Sequence, residues 1–198
     1  MSNARTADIR RDTAETKIEI GIDLDGSGMG EISTGIGFFD HMLDLFVRHS
    51  LVDAKIQALG DIEVDFHHTV EDVGIVLGQC FREALGDKKG IRRYGWCLLP
   101  MDETLCRVAL DFSGRPFLAY RVPDGVGDAG AFPVQLVEEF MRAFSNNAAA
   151  NLHIEILSGR DGHHVAESIF KGLAKAVEQA VSINPRVAGQ IPSTKEVL

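Results

Sequence analysis

Asp65-Phe66-His67-His68-Thr69-Val70-Glu71 reads D-x-H-H-x-x-E, and Asp161-Gly162-His163-His164-Val165-Ala166-Glu167 repeats the pattern 96 residues later. The apolar positions that follow keep the offset: Val73 with Ile169, Leu77 with Leu173, Phe81 with Val177, Ala84 with Ala180. Self-similarity on this scale marks a duplicated structural unit. Upstream, Ile18-Glu19-Ile20-Gly21-Ile22-Asp23-Leu24-Asp25-Gly26 alternates apolar and polar residues. Cys106-Arg107-Val108-Ala109-Leu110-Asp111-Phe112-Ser113-Gly114 does the same 88 residues on, pairing Asp23 with Asp111 and Gly26 with Gly114. Phe46 matches Phe144, and Ile56 matches Ile154, at an offset of 98. Such drift needs only small loop insertions and deletions. The chain therefore reads as two tandem halves, roughly 10–98 and 99–186, with a C-terminal tail 187–198. No flexible linker separates them, so the halves are expected to share a core and act as one unit.

Periodicity supplies the elements of each half. Alternation over 16–24 predicts a half-buried strand, and Asp25 with its glycines a turn. A helix is expected over about 38–48, a strand near 52–58, a further extended piece near 62–66, and a helix over about 70–86. That last helix carries Val73, Val76, Leu77, Cys80, Phe81 and Ala84 on one stripe. The second half predicts strands near 105–112, 116–121 and 152–157, helices near 133–147 and 165–181, and a glycine-rich loop at 123–131. Hairpins followed by helices favour an α+β fold of two packed layers over a doubly wound parallel sheet.

Composition narrows the class. With 45% hydrophobic and 25% charged residues, the 198-residue chain has the apolar content for a core. No apolar run approaches the ~18 residues that span a bilayer, and no apolar segment opens the chain as a secretory signal would. The formal charge of −9 argues against a nucleic-acid partner, which calls for a basic face. A small anionic substrate is compatible, because a few placed Arg and Lys act locally. Cys80, Cys97 and Cys106 are odd in number and form no C-x-x-C, the pattern of reduced thiols in a cytoplasmic protein.

The repeated motif is chemical. On a helix, residues three and four apart share a face, so Glu71 lies near both His67 and His68, and Glu167 near both His163 and His164. Adjacent imidazoles diverge by about 100°, so each pair need not serve one ion. Neutral imidazole with carboxylate suits manganese, iron or zinc. His41, in Phe38-Phe39-Asp40-His41-Met42, aligns with Glu139, in Val137-Glu138-Glu139-Phe140-Met141, and both can ligate. Two quasi-equivalent N/O metal sites follow. Ligand type alone leaves open a hydrolase with a bridging hydroxide and a non-catalytic metal store or structural staple.

Longer motifs resolve the choice. Ile36-Gly37-Phe38-Phe39-Asp40-His41-Met42-Leu43, His67-His68-Thr69-Val70-Glu71-Asp72-Val73-Gly74-Ile75, Arg93-Tyr94-Gly95, Pro100-Met101-Asp102-Glu103, Asp111-Phe112-Ser113-Gly114-Arg115-Pro116 and Pro192-Ser193-Thr194-Lys195 resemble the imidazoleglycerol-phosphate dehydratase family. The resemblance runs from Arg11 to the C-terminus. It implies an internally duplicated, mostly antiparallel α+β fold of the ribosomal protein S5 domain 2-like kind. It also implies two manganese ions (Mn2+) per active site and a 24-subunit homo-oligomer with sites between subunits. The implied reaction is dehydration of imidazole glycerol phosphate to imidazole acetol phosphate in histidine biosynthesis.

Site residues carry over position by position. The resemblance assigns His41, His68, Glu71 and His164 to one ion, and His67, Glu139, His163 and Glu167 to the other. It makes Glu15 the proton shuttle, with Glu71 and Glu167 the catalytic carboxylates at the ions. Substrate contacts fall to Glu15, His41 and His49, and phosphate contacts to Arg93, Arg115, Lys171, Ser193 and Lys195. Phe66 stands where many relatives carry Asp, Glu196 where many carry Gly, and Glu139 where some carry His. The chemistry these residues must manage is awkward, because the hydrogen removed is not acidic at the start. The implied route deprotonates the imidazole ring at the metal. The electron-rich ring then expels the neighbouring hydroxyl to give a diazafulvene-like intermediate whose next C–H is acidic.

Overall fold

In the computed structural model, which describes residues 4–198, two four-stranded sheets repeat one plan. The first has β1 (Thr6–Asp12), β2 (Thr16–Asp23), β3 (Gly30–Ser33) and β4 (Asp53–Gly60) in the order β1-β2-β4-β3. The second has β5 (Tyr94–Met101), β6 (Thr104–Asp111), β7 (Phe117–Arg121) and β8 (Asn151–Ser158) in the matching order β5-β6-β8-β7. Within each sheet two pairings are antiparallel and one, β3 with β4 or β7 with β8, is parallel. Helices α1 (Gly37–Ser50) and α2 (His67–Leu85) belong to the first half, α3 (Leu136–Asn147) and α4 (Gly162–Val181) to the second. The fold is α+β and internally duplicated, as the sequence predicts. No helix among the described residues is long and apolar enough to cross a membrane.

Alternation explains the central strands. Ile18, Ile20 and Ile22 of β2 are buried, as are Cys106, Val108 and Leu110 of β6. The 62–66 segment is not extended, contrary to expectation: Val64 N–H donates to the Asp61 carbonyl at 2.8 Å in a turn. The helices bearing the motifs also begin three residues earlier than periodicity suggests. The leading aspartate of each motif is the reason. Asp161 Oδ1 accepts from the backbone N–H of His163 (2.9 Å) and His164 (3.1 Å), a true N-cap. Asp65 Oδ1 accepts from His67 N–H at 2.7 Å. Capping draws His163 and His164 into the first turn of α4, and in α2 the Asp65 bond holds His67 at the start of the helix.

The helices pair across the halves. α1 packs on α4 and α2 on α3. Gly74 and Gly78 let α2 approach α3 closely, since a Cβ there would stand 2.9 Å from the Phe140 carbonyl and 2.7 Å from the Phe144 carbonyl. Their counterparts in α4 are Phe170 and Ala174. Phe170 instead fills the centre, with ring centroids 5.0 Å from Phe140 and 6.4 Å from Phe39. One continuous apolar cluster joins both halves, and each buried Phe contributes about 1.5–3 kcal/mol. The predicted α2 stripe from Val73 to Ala84 is buried throughout. The cysteines are unpaired, and burial pushes the Cys80 and Cys106 thiols up to about 12. Two of the positions at which the resemblance is broken, Phe66 and Glu196, also find their places. Phe66 stacks on Phe132 at 6.3 Å, and Glu196 adopts φ +59°, a conformation that favours glycine.

Candidate metal centre

The first turn of α4 sets His163 one turn before Glu167, with Nε2 3.1 Å from Oε2. Because α1 lies against α4, His41 joins them: its Nε2 is 3.9 Å from the same Glu167 oxygen. Ligand atoms of His41, His163 and Glu167 all lie within 4.8 Å of one another, the sole such trio among the described residues. Glu167 is buried, while the two imidazoles stand at the surface. Burial pushes the Glu167 carboxyl up, but the hydrogen bond and charge of Lys171, with those of His163, outweigh it and hold it below the usual range. Phe38 packs edge-on against His163, with ring centroids 5.2 Å apart. Two imidazole nitrogens and an ionised carboxylate converging from two helices fit a divalent first-row ion. In the first half, His67 Nε2 and Glu71 Oε2 are 3.8 Å apart. α3, which carries half-buried Glu139, packs on the same helix.

The second histidine of each pair looks elsewhere. His67 and His68 rings meet at 86°, and His163 and His164 rings at 81°. His68 Nδ1 lies 3.1 and 3.2 Å from the two Asp61 oxygens and 3.8 Å from Glu15 Oε2. His164 Nδ1 lies 2.7 Å from Glu103 Oε2, and its Nε2 is 3.7 Å from Asp102 Oδ2. The hydrogen bond to Asp61 raises the His68 pKa, and that to Glu103 raises the His164 pKa. In return, His164 and the Asp161 N–H bring the Glu103 carboxyl down to about 2.

Within the chain, His41 groups with His163 and Glu167, whereas the resemblance sets it with His68, Glu71 and His164 in sites completed between subunits. The reason is tertiary: α1 packs on the helix of the other half. The phosphate candidates meet more fully. Arg93, Arg115, Ser193 and Lys195 line one cleft of about 630 Å³ with Tyr94 and Thr194. Arg93 is nearly buried and forks onto Asp111 through Nε (2.6 Å) and Nη2 (3.0 Å), while Nη1 donates to the Pro192 carbonyl (2.9 Å). That bond ties the tail to the cleft. Lys171 stands apart, paired with Glu167 in the metal trio. His49, on α1 beyond His41, feels burial first and then the charges of Lys171 and Lys175, which lower its pKa. Glu15 sits exposed in the β1–β2 turn.

Sequence reasoning gave no role to Asp61, Glu103 or Asp111. One signal for Glu103 was present: the offset of 88 that pairs Asp23 with Asp111 also pairs Glu15 with Glu103. Asp61 has no such mark, because the sequence of the turn that brings it to His68 reads as extended.

Comparison with known proteins agrees with this architecture. The family described as "Imidazoleglycerol-phosphate dehydratase" matches residues 34–177. The imidazoleglycerol-phosphate dehydratase of Akkermansia muciniphila is 60% identical over 195 residues, covering 98% of this chain and 100% of that one. The crystal structure of the Staphylococcus aureus enzyme superposes with a TM-score of 0.82 at 40% identity, covering 90% of this chain and 99% of that one. The structure of the Pyrococcus furiosus protein, solved in complex with (S)-C348, gives 0.83 at 37% identity, covering 96% and 100%. Duplicated sheets, paired histidine motifs and near full-length identity together establish that this chain belongs to the imidazoleglycerol-phosphate dehydratase family.

Proposed function

We propose that the protein dehydrates imidazole glycerol phosphate to imidazole acetol phosphate in histidine biosynthesis, in the cytoplasm, using two Mn2+ per active site. The convergence of His41, His163 and Glu167 carries this reading. His41, His163 and Glu167 would hold one ion, and His67, Glu71 and Glu139 supply the pseudo-equivalent set. His68 and His164 face away from the trio of their own chain. That orientation supports sites completed by neighbouring copies, in line with a 24-subunit assembly.

The ions supply a lowered proton affinity for the substrate's imidazole ring. The protein's residues do the remainder. Glu15, exposed 3.8 Å from His68, gives its proton to the leaving hydroxyl so that water departs, then regains one from the C–H this has made acidic, and the enol ketonises. Arg115, Ser193 and Lys195, with Arg93 behind them, grip the phosphate: Arg in a planar fork, Lys as a point charge. Lys171 balances Glu167, and His49, on the same helix as His41, is taken as a further substrate contact.

Turnover by chelated protein, with and without added Mn2+, tests the proposal. Expected is loss of imidazole acetol phosphate formation on chelation and its return with Mn2+. Full turnover in the chelated protein, or release of inorganic phosphate instead of the ketone, would refute it.

A further inference from the structure

Glu103 and Glu15 are duplicates that have parted ways. Each sits in the turn joining the first two strands of its half, β5–β6 and β1–β2. Glu103 is held at both oxygens. Oε1 accepts from the backbone N–H of Asp161 (3.1 Å) and Arg160 (3.4 Å) and from the Thr104 hydroxyl (3.3 Å). Oε2 faces His164 Nδ1 at 2.7 Å. An ionised carboxylate only accepts hydrogen bonds, so the proton at that contact resides on Nδ1. The ring's lone pair is then confined to Nε2, on the exposed side, where Asp102 Oδ2 stands 3.7 Å away.

We propose that Glu103 is a positioning residue that locks His164 in the Nδ1–H tautomer and so presents Nε2 to a divalent cation. In the first half Asp61 occupies the corresponding place on His68 Nδ1. Glu15, the counterpart of Glu103, is left beyond hydrogen-bond reach of that ring at 3.8 Å. A carboxylate behind a metal-binding imidazole fixes its orientation and raises its basicity. The inference rests on the reading of His164 as a ligand, so the test separates the two.

Glu103→Gln discriminates. The glutamine oxygen keeps the three donors that converge on Oε1, which turns the amide NH2 toward His164. The ring must then accept at Nδ1 and carry its proton on Nε2, the tautomer that cannot ligate, as when an amide replaces a carboxylate behind a catalytic histidine. Mn2+ is titrated calorimetrically into the chelated full-length protein, alongside thermal unfolding of the metal-free form. Expected is an affinity about 10–100-fold weaker at the affected site in Glu103→Gln, with the metal-free melting temperature unchanged. Glu103→Ala, which frees the ring to take either tautomer, loses less. A role confined to holding the 160–161 loop predicts the reverse order. A Glu103→Gln isotherm within twofold of the parent, while His164→Ala loses the site, overturns the positioning role alone. Parent-like binding by His164→Ala overturns it together with the ligand reading. A Glu103→Gln chain that fails to fold assigns Glu103 to the loop and overturns the proposal as well.

Discussion

Arg5 and Arg93 stand 88 residues apart, each just ahead of the first strand of its half. Both fork onto an aspartate, and both donate Nη1 to a distant carbonyl: Arg5 to Val181 at 2.6 Å, Arg93 to Pro192 at 2.9 Å. Their surroundings differ. The partner of Arg5, Asp25, has a side chain 59% exposed, whereas Asp111 beside Arg93 is 18% exposed. Arg93 also lies 4.7 Å above the Tyr94 ring and takes φ +72°. The first arginine fastens the start of the chain to the end of α4. The second fastens the tail that carries Ser193 and Lys195. Duplication has kept the arginine but not its partner, since Asp111 matches Asp23 and Arg5 binds Asp25, and it has changed what the contact holds.

The largest expected effect separates Glu15 from Glu103. Glu15→Gln should lower kcat by about 10²–10⁴-fold, the worth of a positioned proton-transfer group, with Mn2+ affinity intact. An equal loss of metal affinity would mean the two turns do the same work. Next comes the arginine comparison. Asp111→Ala leaves a largely buried guanidinium unpaired and should cost about 3 kcal/mol in urea unfolding. Asp25→Ala, at an exposed partner, should cost less than about 1 kcal/mol. Equal costs would erase the distinction between staple and clamp. Lys195→Ala should weaken apparent binding by roughly 10–100-fold, from the about 1.5–3 kcal/mol of a charged hydrogen bond. The effect should appear for the phosphorylated substrate and not for an unphosphorylated analogue. The smallest effect is on pH. The hydrogen bond from Arg5 lowers the Asp25 pKa below its ordinary 3.8. Its contribution to stability is present above that ordinary value and fades as pH falls through the lowered folded value. Asp25→Asn should flatten that acid limb of the unfolding curve.

How much was legible follows sheet position. The strands inside each sheet, β2, β4, β6 and β8, announce themselves by apolar content in a regular rhythm. The edges mostly do not. β1 reads Thr-Ala-Asp-Ile-Arg-Arg-Asp, with Ala7 and Ile9 its only apolar residues. β3 is four residues long. β5 hides its rhythm because Tyr94, Trp96 and Leu98 are apolar on the exposed side. For the site, residue type and helical spacing mark His67, His68, Glu71, His163, His164 and Glu167 as candidates, and of these the structure gathers His163 and Glu167 with His41. Which of them meet His41 was not legible, because that depends on α1 lying against a helix of the other half. Asp61 and Glu103 reach their histidines from turns, and no period in a sequence encodes such an approach.

The exchanged helix pairs carry a last consequence. α1 of one half shelters against α4 of the other, and α3 against α2. A single half cut loose would bare Phe39 and Met42 on one side of its helix layer and the Gly74–Gly78 groove on the other. Those surfaces complement the other half. Severing the connection between α2 and β5 should therefore leave two unlike halves that hold together through these same helix faces.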